Sequence, residues 1–291
     1  MVYTNKALVY PNPTRENTIR SLPEVLDTLL AEGFEVYMEE SYSYMLAKEY
    51  PIVSFYPLNT AIKMCDFILV VGGDGTILHI TMPAAEYQKP ILGINFGTMG
   101  FLSELELKDI DLLKRLKLGE FSVDKRMLLN VTVKNSKEDV TFSAVGLNDA
   151  AIMKRNVSKI IKVSVAIDQK RVIGFAGDGV LVCTPTGSTA YSLSAGGPIL
   201  EPSCDCMAVT PVCPHSLVIK SFVVPGDREI EISFPRQDND VQLSVDGYNI
   251  HELKQNERVF VRKHVQDLEL IRLKGIGFYE RINQKLSNER L

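Results

Sequence analysis

The chain has 291 residues, 45% of them hydrophobic and 23% charged, the composition of a folded globular protein long enough for two domains. Its 32 Lys and Arg against 36 Asp and Glu leave a formal net charge of −4, so no overall basic field recommends nucleic acid as a partner. No apolar run reaches the roughly eighteen residues of a membrane span, the start Met1-Val2-Tyr3-Thr4-Asn5-Lys6 has no signal pattern, and five cysteines, odd in number and sparse, suit free thiols in the cytoplasm.

Residues 7–10 read as a short strand stopped by Pro11 and Pro13. Residues 14–32 carry Ile19, Leu22, Leu26 and Leu29 at helical spacing, and Gly33 follows as a C-terminal cap would. Further strands are expected at 34–38, 67–71 and 91–96, with a helix at 77–87. Strands alternating with helices imply a parallel, Rossmann-like sheet covered on both faces, with ligands at the carboxyl ends of its strands. Gly72-Gly73-Asp74-Gly75-Thr76 falls at such an end. Three glycines let the backbone approach a ligand, and successive N–H groups ahead of a helix suit phosphate. The acid is the informative part. Among phosphate donors, Asp74 has a use if it bonds a hydroxyl, holds a metal or takes a proton. The pentapeptide alone reads equally as a tight turn, and it is neither a Walker A loop nor Gly-x-Gly-x-x-Gly.

Residues 108–117 read as a helix leading onward, and after about residue 120 the period changes. Residues 128–133, 159–167, 171–175, 229–234 and 241–245 show two-residue alternation or β-branched runs, separated by turn residues. That predicts an all-β domain, sandwich or barrel. Within it, Thr184 to Pro198 reads Thr-Pro-Thr-Gly-Ser-Thr-Ala-Tyr-Ser-Leu-Ser-Ala-Gly-Gly-Pro, directly after an apolar strand at 180–183. Small hydroxyl residues at this density offer many donors and acceptors, and Tyr191 adds a flat ring for a base. Asp246-Gly247 reads as a hairpin turn. Cys204, Cys206, Cys213 and His215 invite a zinc reading, but Cys-x-Cys lacks the usual two-residue gap, so no metal is expected there. A strand and a helix beyond residue 268 are expected to pack back on the first domain. The expected division is therefore an α/β domain at 1–120, an all-β domain at 121–267 and a returning tail at 268–291.

Taken together and in order, Gly72 to Thr76, Asn148-Asp149, Gly177-Asp178-Gly179 and Thr184 to Pro198 resemble the NAD kinase family. Asn95-Phe96-Gly97-Thr98-Met99-Gly100-Phe101-Leu102 and Thr210 to Leu217 are similar to it too, so the likeness runs nearly end to end. The Gly-Gly-Asp-Gly-Thr signature is shared with lipid kinases. The stretch from Thr184 to Ser192 is specific to NAD kinases and discriminates against them.

The resemblance implies transfer of the γ-phosphoryl of ATP, or of polyphosphate, to the 2′-hydroxyl of the adenosine ribose of NAD, giving NADP. Asp74 would be the general base, and Gly72, Gly73, Gly75 and Thr76 would approach phosphates. Mg²⁺ or another divalent cation would be delivered with the nucleotide, with no metal site of the protein's own. Asn148 and Asp149 match a ligand-binding pair whose second member is commonly Glu, one methylene longer. Asp178 would bind the nicotinamide end, either within its own subunit or from a neighbouring subunit of a homodimer or homotetramer. Thr189, Ala190, Tyr191 and Ser194 would hold adenine and its ribose, with Lys159 and Tyr248 at further ligand positions. His79 stands where many members carry Arg toward the donor phosphate. It either serves there, only partly charged near neutrality, or is a helix-surface histidine without a role.

Overall fold

The computed structural model describes residues 5–96, 100–234 and 240–288, and the chain divides into two compact units, Met1–Lys125 with Leu268–Leu291, and Arg126–Asp267. The first unit is built on a sheet whose strands lie in the order Ser54–Tyr56, Glu35–Glu39, Lys6–Pro11, Phe67–Val71, Ile91–Asn95, Leu268–Arg272, Ser122–Arg126. A two-residue strand, Leu105–Glu106, pairs beside Ile91–Asn95. The pairings from Ser54–Tyr56 through to Leu268–Arg272 are parallel. Phe67–Val71 and Ile91–Asn95 are buried at every residue, as parallel strands covered on both faces must be. The tail thus returns to the first unit as a strand, followed by the helix Phe278–Asn288.

The helix expected over 14–32 breaks at Ser21 into Glu16–Arg20 and Leu22–Ala31. Pro23 has no N–H, and its ring excludes the carbonyl four residues back, so one helix cannot run through. Leu22, Val25, Leu26 and Leu29 then form the fully buried stripe, and Gly33 takes the left-handed φ of +72° that a C-terminal cap requires. The helix expected at 108–117 is a 3₁₀ segment, Leu107–Leu113, and a short α-helix, Lys114–Leu118, closed by Gly119. The edge strand Ser54–Tyr56 and the helix Leu58–Met64 carried too little periodicity to be foreseen.

The sheet order reverses direction between Lys6–Pro11 and Phe67–Val71, a topological switch point, and in open α/β sheets ligands bind at the carboxyl ends of the strands there. Asn12 leaves one strand there and Gly72 the other.

The second unit is a pair of six-stranded sheets. One runs Phe222–Pro225, Cys206–Val212, Gly179–Cys183, Asp149–Lys154, Val241–Val245, Asn249–Glu252, and its pairings are antiparallel. The other runs Lys170–Gly177, Ile161–Ile167, Ile230–Ser233, Arg258–Lys263, Leu129–Lys134, Val140–Gly146, also antiparallel. Alternate residues of both, such as Leu129, Val131 and Val133 from one and Ala150, Ile152 and Val182 from the other, share one core. The all-β expectation resolves as a sandwich. Of the pair Asn148-Asp149, Asp149 opens the strand Asp149–Lys154 and Asn148 stands just before it.

Candidate functional site

Asp74 is the first residue of the helix Asp74–Glu86, after Gly73 in extended conformation (φ −85°, ψ −176°). The helix was expected only from residue 77, so the motif is a two-glycine turn and a helical turn rather than a five-residue loop. A carboxylate in a helix's first turn is favoured by the partial positive charge there. The Gly72 N–H donates to the Ile94 carbonyl at 2.8 Å and is committed to the sheet. The amides of Asp74 and Gly75, by contrast, have no carbonyl within the helix to bond.

The three glycines have different reasons. A Cβ on Gly72 would lie 2.4 Å from Thr76 Oγ1 and 3.2 Å from Asn12 Cβ, so packing requires this glycine. Thr76 itself is buried, and its hydroxyl accepts a 2.8 Å hydrogen bond from Asn12 Nδ2, tying the two loops together across the switch point. A Cβ on Gly75 would meet nothing within 4 Å, and Gly75 is exposed. Glycine costs a helix roughly 0.5–1 kcal/mol relative to alanine, so the fold has no use for it there. Gly75→Ala is expected to stabilise the chain by about that amount while lowering activity, because the open side of the turn is where a ligand's phosphates would approach. Thermal melts beside turnover check both halves. His79, exposed, follows Gly75 by four residues and shares its face of the helix.

The Asp74 carboxylate faces the turn at 100–103. Oδ2 accepts the Phe101 N–H at 2.7 Å. Oδ1 accepts the N–H groups of Leu102 and Ser103 at 3.3 and 3.2 Å and the Ser103 hydroxyl at 3.0 Å. Gly100 lies so close that a Cβ there would sit 1.8 Å from Oδ1. Sequence reasoning noted this stretch only as similar to the family and missed its contact with Asp74. Gly97, Thr98 and Met99 lie outside the described residues.

In the second unit a comparable arrangement surrounds Asn148 and Asp149. Asp246 and Gly247 do make the hairpin turn, with φ of +52° and +80°. The Asp246 carboxylate also accepts the N–H groups of Leu147, Asn148 and Asp149 at 2.7, 2.7 and 3.1 Å. Asp149 is 6% exposed, and among the described residues nothing donates a hydrogen bond to its carboxyl. Burial pushes that carboxyl up to about 7, and the Asp246 charge adds to the effect.

The stability consequence has a definite sign. Below the unfolded value near 3.8 both states hold the proton and nothing is lost. As pH climbs from there to about 7 the unfolded chain releases a proton that the folded chain keeps, so stability falls. The full loss, up to roughly 4 kcal/mol, is reached above about pH 7. Asp149→Asn is therefore expected to gain stability relative to the parent as pH rises through this window, read from denaturant midpoints at pH 5 and pH 8.

The hydroxyl-rich segment is half structural. Thr184 Oγ1 donates to the Leu147 carbonyl at 2.5 Å and accepts the Gly187 N–H at 3.0 Å. Ser188 Oγ donates to the Pro185 carbonyl at 2.6 Å and accepts from Leu200 N–H, while Ser192 and Thr210 share a hydrogen bond at 3.1 Å. All four side chains are buried. Gly187 presses so closely on Asn148 that a Cβ would lie 2.0 Å from its carbonyl oxygen. What remains outward is Tyr191, 45% exposed, and Ser194, at opposite ends of a single helical turn. Thr189 is half-buried and donates to the Thr186 carbonyl, and Ala190 joins it to the helical turn.

Asp178 and Lys159 come with partners already in place. Lys154 Nζ pairs with Asp178 at 2.6 Å, and Lys159 Nζ with Asp240 at 2.6 Å. Tyr248 is half-exposed and closes the hairpin with its N–H on the Val245 carbonyl. Lys154 carried no sequence signal, since nothing local distinguishes it from Arg155. Cys204 is exposed and Cys206 half-buried at the start of its strand.

Residues 8–120 match the ATP-NAD kinase N-terminal domain, and residues 147–273 match the ATP-NAD kinase C-terminal domain. A protein named NAD kinase from Carboxydothermus hydrogenoformans is 38% identical over 244 residues, 84% of this chain and 87% of the relative. Among solved structures, yeast NADH kinase complexed with NADH matches with a TM-score of 0.89 over 99% of this chain and 89% of its own. At 24% identity that likeness speaks for the fold. An NAD kinase from Archaeoglobus fulgidus in complex with ATP matches with a TM-score of 0.71 at 25% identity, covering 97% of this chain and 98% of its own.

Proposed function

The chain belongs to the NAD kinase family of phosphotransferases, and we propose that it moves the γ-phosphoryl group of ATP to the 2′-hydroxyl of the adenosine ribose of NAD, forming NADP, with Asp74 as general base. One observation carries the role of Asp74. Among the described residues its Oδ1 takes three donors, whereas Oδ2 takes only the Phe101 N–H. A carboxylate has about four lone-pair sites, so the acceptor capacity left over belongs to Oδ2, at the carboxyl end of a central strand.

In this reading Oδ2 accepts the 2′-hydroxyl proton as the ribose oxygen bonds to the γ-phosphorus. The bond from that phosphorus to the bridging oxygen breaks, and ADP leaves with the electron pair. Base catalysis of this kind contributes about 10²–10⁴-fold, and the larger share comes from positioning and charge stabilisation. The amides of Asp74 and Gly75 are proposed to face phosphate, with Gly73 lending close approach and His79 one turn further on. A divalent cation such as Mg²⁺ neutralises charge on the donor's phosphate oxygens when bound. Among the described residues no three His, Cys, Asp or Glu side chains converge on one point, and an ion carried by the nucleotide needs no such cage.

Tyr191 offers its ring to adenine, with Thr189, Ala190 and Ser194 beside it. Asn148 and Asp149 are proposed for ribose hydroxyls, and Asp178, Lys159 and Tyr248 for the rest of the dinucleotide. The Archaeoglobus relative's complex with ATP supports ATP as donor; polyphosphate is the second candidate. No helix among the described residues is long and apolar enough to cross a membrane, and we place the enzyme in the cytoplasm, as a homodimer or homotetramer. The test is NADP formation from NAD and Mg²⁺ with ATP or polyphosphate in parallel. Product with neither donor, by folded protein that binds NAD, would sink the assignment.

A further inference from the structure

The turn that holds Asp74 is itself held from behind, by charged groups of the C-terminal segment. Arg272 Nη1 donates to the Leu102 carbonyl at 2.9 Å. The N–H of that same peptide unit belongs to Ser103 and donates to Asp74 Oδ1. A guanidinium and the Asp74 carboxylate therefore sit at the two ends of one peptide dipole, where each polarises the bond to the other. One peptide further on, Arg281 Nη1 donates to the Ser103 carbonyl at 3.0 Å, and the Glu104 N–H donates to Gly93 at 3.0 Å.

Glu104 joins the two arginines. Its side chain is fully buried. Oε1 accepts the Leu273 and Lys274 N–H groups at 3.0 and 2.7 Å. Oε2 accepts Arg272 Nη1 at 3.3 Å and also pairs with Arg281 Nη2. Arg272 reaches Asp124 as well, at 3.2 Å. Arg281 is 5% exposed and lies on the helix Phe278–Asn288, and four residues later Lys285 Nζ stands 4.2 Å from the Phe101 ring centroid. One face of the last helix thus grips both ends of the turn 101–104.

We propose that Arg281 and Arg272, set by Glu104, are positioning residues for the phosphoryl transfer: they orient the peptides of Leu102, Ser103 and Glu104 so that three donors fix Asp74 Oδ1 and leave Oδ2 to the substrate hydroxyl. This rests on Asp74 being the base. A buried charge cluster stabilises a fold only weakly, since desolvation offsets much of the attraction. Its directional hydrogen bonds to backbone carbonyls do set geometry, and a displacement of about 1 Å at a reacting group costs about 10²-fold in rate.

The experiment is a cycle of Arg281→Met, Asp74→Asn and the double variant in the full chain, with kcat and the KM values for NAD and ATP measured for each. Arg281→Met is expected to lower kcat by about 10²-fold with both KM values little changed. In the Asp74→Asn background it is expected to cause no further loss, because there is no base left to orient. Arg281→Lys, which keeps the charge toward Glu104 but not the planar fork, is expected to fall between and is read the same way if the Met variant does not fold. Unchanged kcat in a folded Arg281 variant, or losses that multiply in the double variant, would overturn the positioning role and leave the base assignment standing. Full activity of Asp74→Asn alone would overturn both.

Discussion

Asp74→Asn is expected to lower NADP formation by about 10²–10⁴-fold while the protein still folds and binds NAD. Asparagine is nearly isosteric with aspartate, and the hydrogen-bond pattern decides which way it turns. Its carbonyl oxygen in the Oδ1 position would keep all three bonds from Leu102, Ser103 N–H and Ser103 Oγ. Its NH₂ would then occupy the Oδ2 position and face the Phe101 N–H, so one bond is lost and not four. The variant therefore places a donor where the proposed base mechanism calls for an acceptor, with the surroundings intact. Steady-state turnover with saturating ATP, alongside calorimetric titration of NAD, separates the two effects. Wild-type turnover by the asparagine variant would remove Asp74 from the chemistry. Loss of NAD binding together with turnover would assign it to the ligand instead.

Gly100→Ala comes next in size, for a steric reason. The added methyl would lie 1.8 Å from Asp74 Oδ1 and 2.6 Å from Oδ2. Both groups cannot keep their places, so either the carboxylate rotates away or the turn 100–103 withdraws its donors. Either way the oxygen proposed as base moves by about an ångström, and a rate loss of about 10²-fold is expected. The same clash costs stability, and that provides the check. In an Asp74→Ala background the space is empty, so Gly100→Ala should destabilise the chain far less there than in the parent. Equal destabilisation in both backgrounds would show that the glycine serves the turn itself and not the carboxylate.

Much of the architecture was legible in the chain. Buried parallel strands such as Phe67–Val71 announce themselves as apolar runs, and the strands of the second unit by alternation, as Val241–Val245 does. The signal failed where elements were short or interrupted. Ser54–Tyr56 has three residues, each only half-buried, and Pro23 divides a helix whose hydrophobic spacing runs on across it. The start of the helix at Asp74 was hidden by its glycines, which weigh against helix in any count of propensity yet are tolerated because Thr76 and Ile77 pack beneath it.

For the site, the sequence by itself determined the residue types and where they lie along the chain: an acid among glycines after a buried strand, and a run of small hydroxyls after another. Those are local properties, and local patterning encodes them. Only the tertiary structure decided what each group is bonded to. Asp74 meets donors 27 to 29 residues away, and Asp246 caps a segment 97 to 99 residues before it. Thr184, Ser188 and Ser192 turn inward while Tyr191 and Ser194 stay out, although all belong to one stretch. Hydrogen bonds of this kind are set by which loops the sheets bring side by side, and periodicity along a chain carries no information about its neighbours in space.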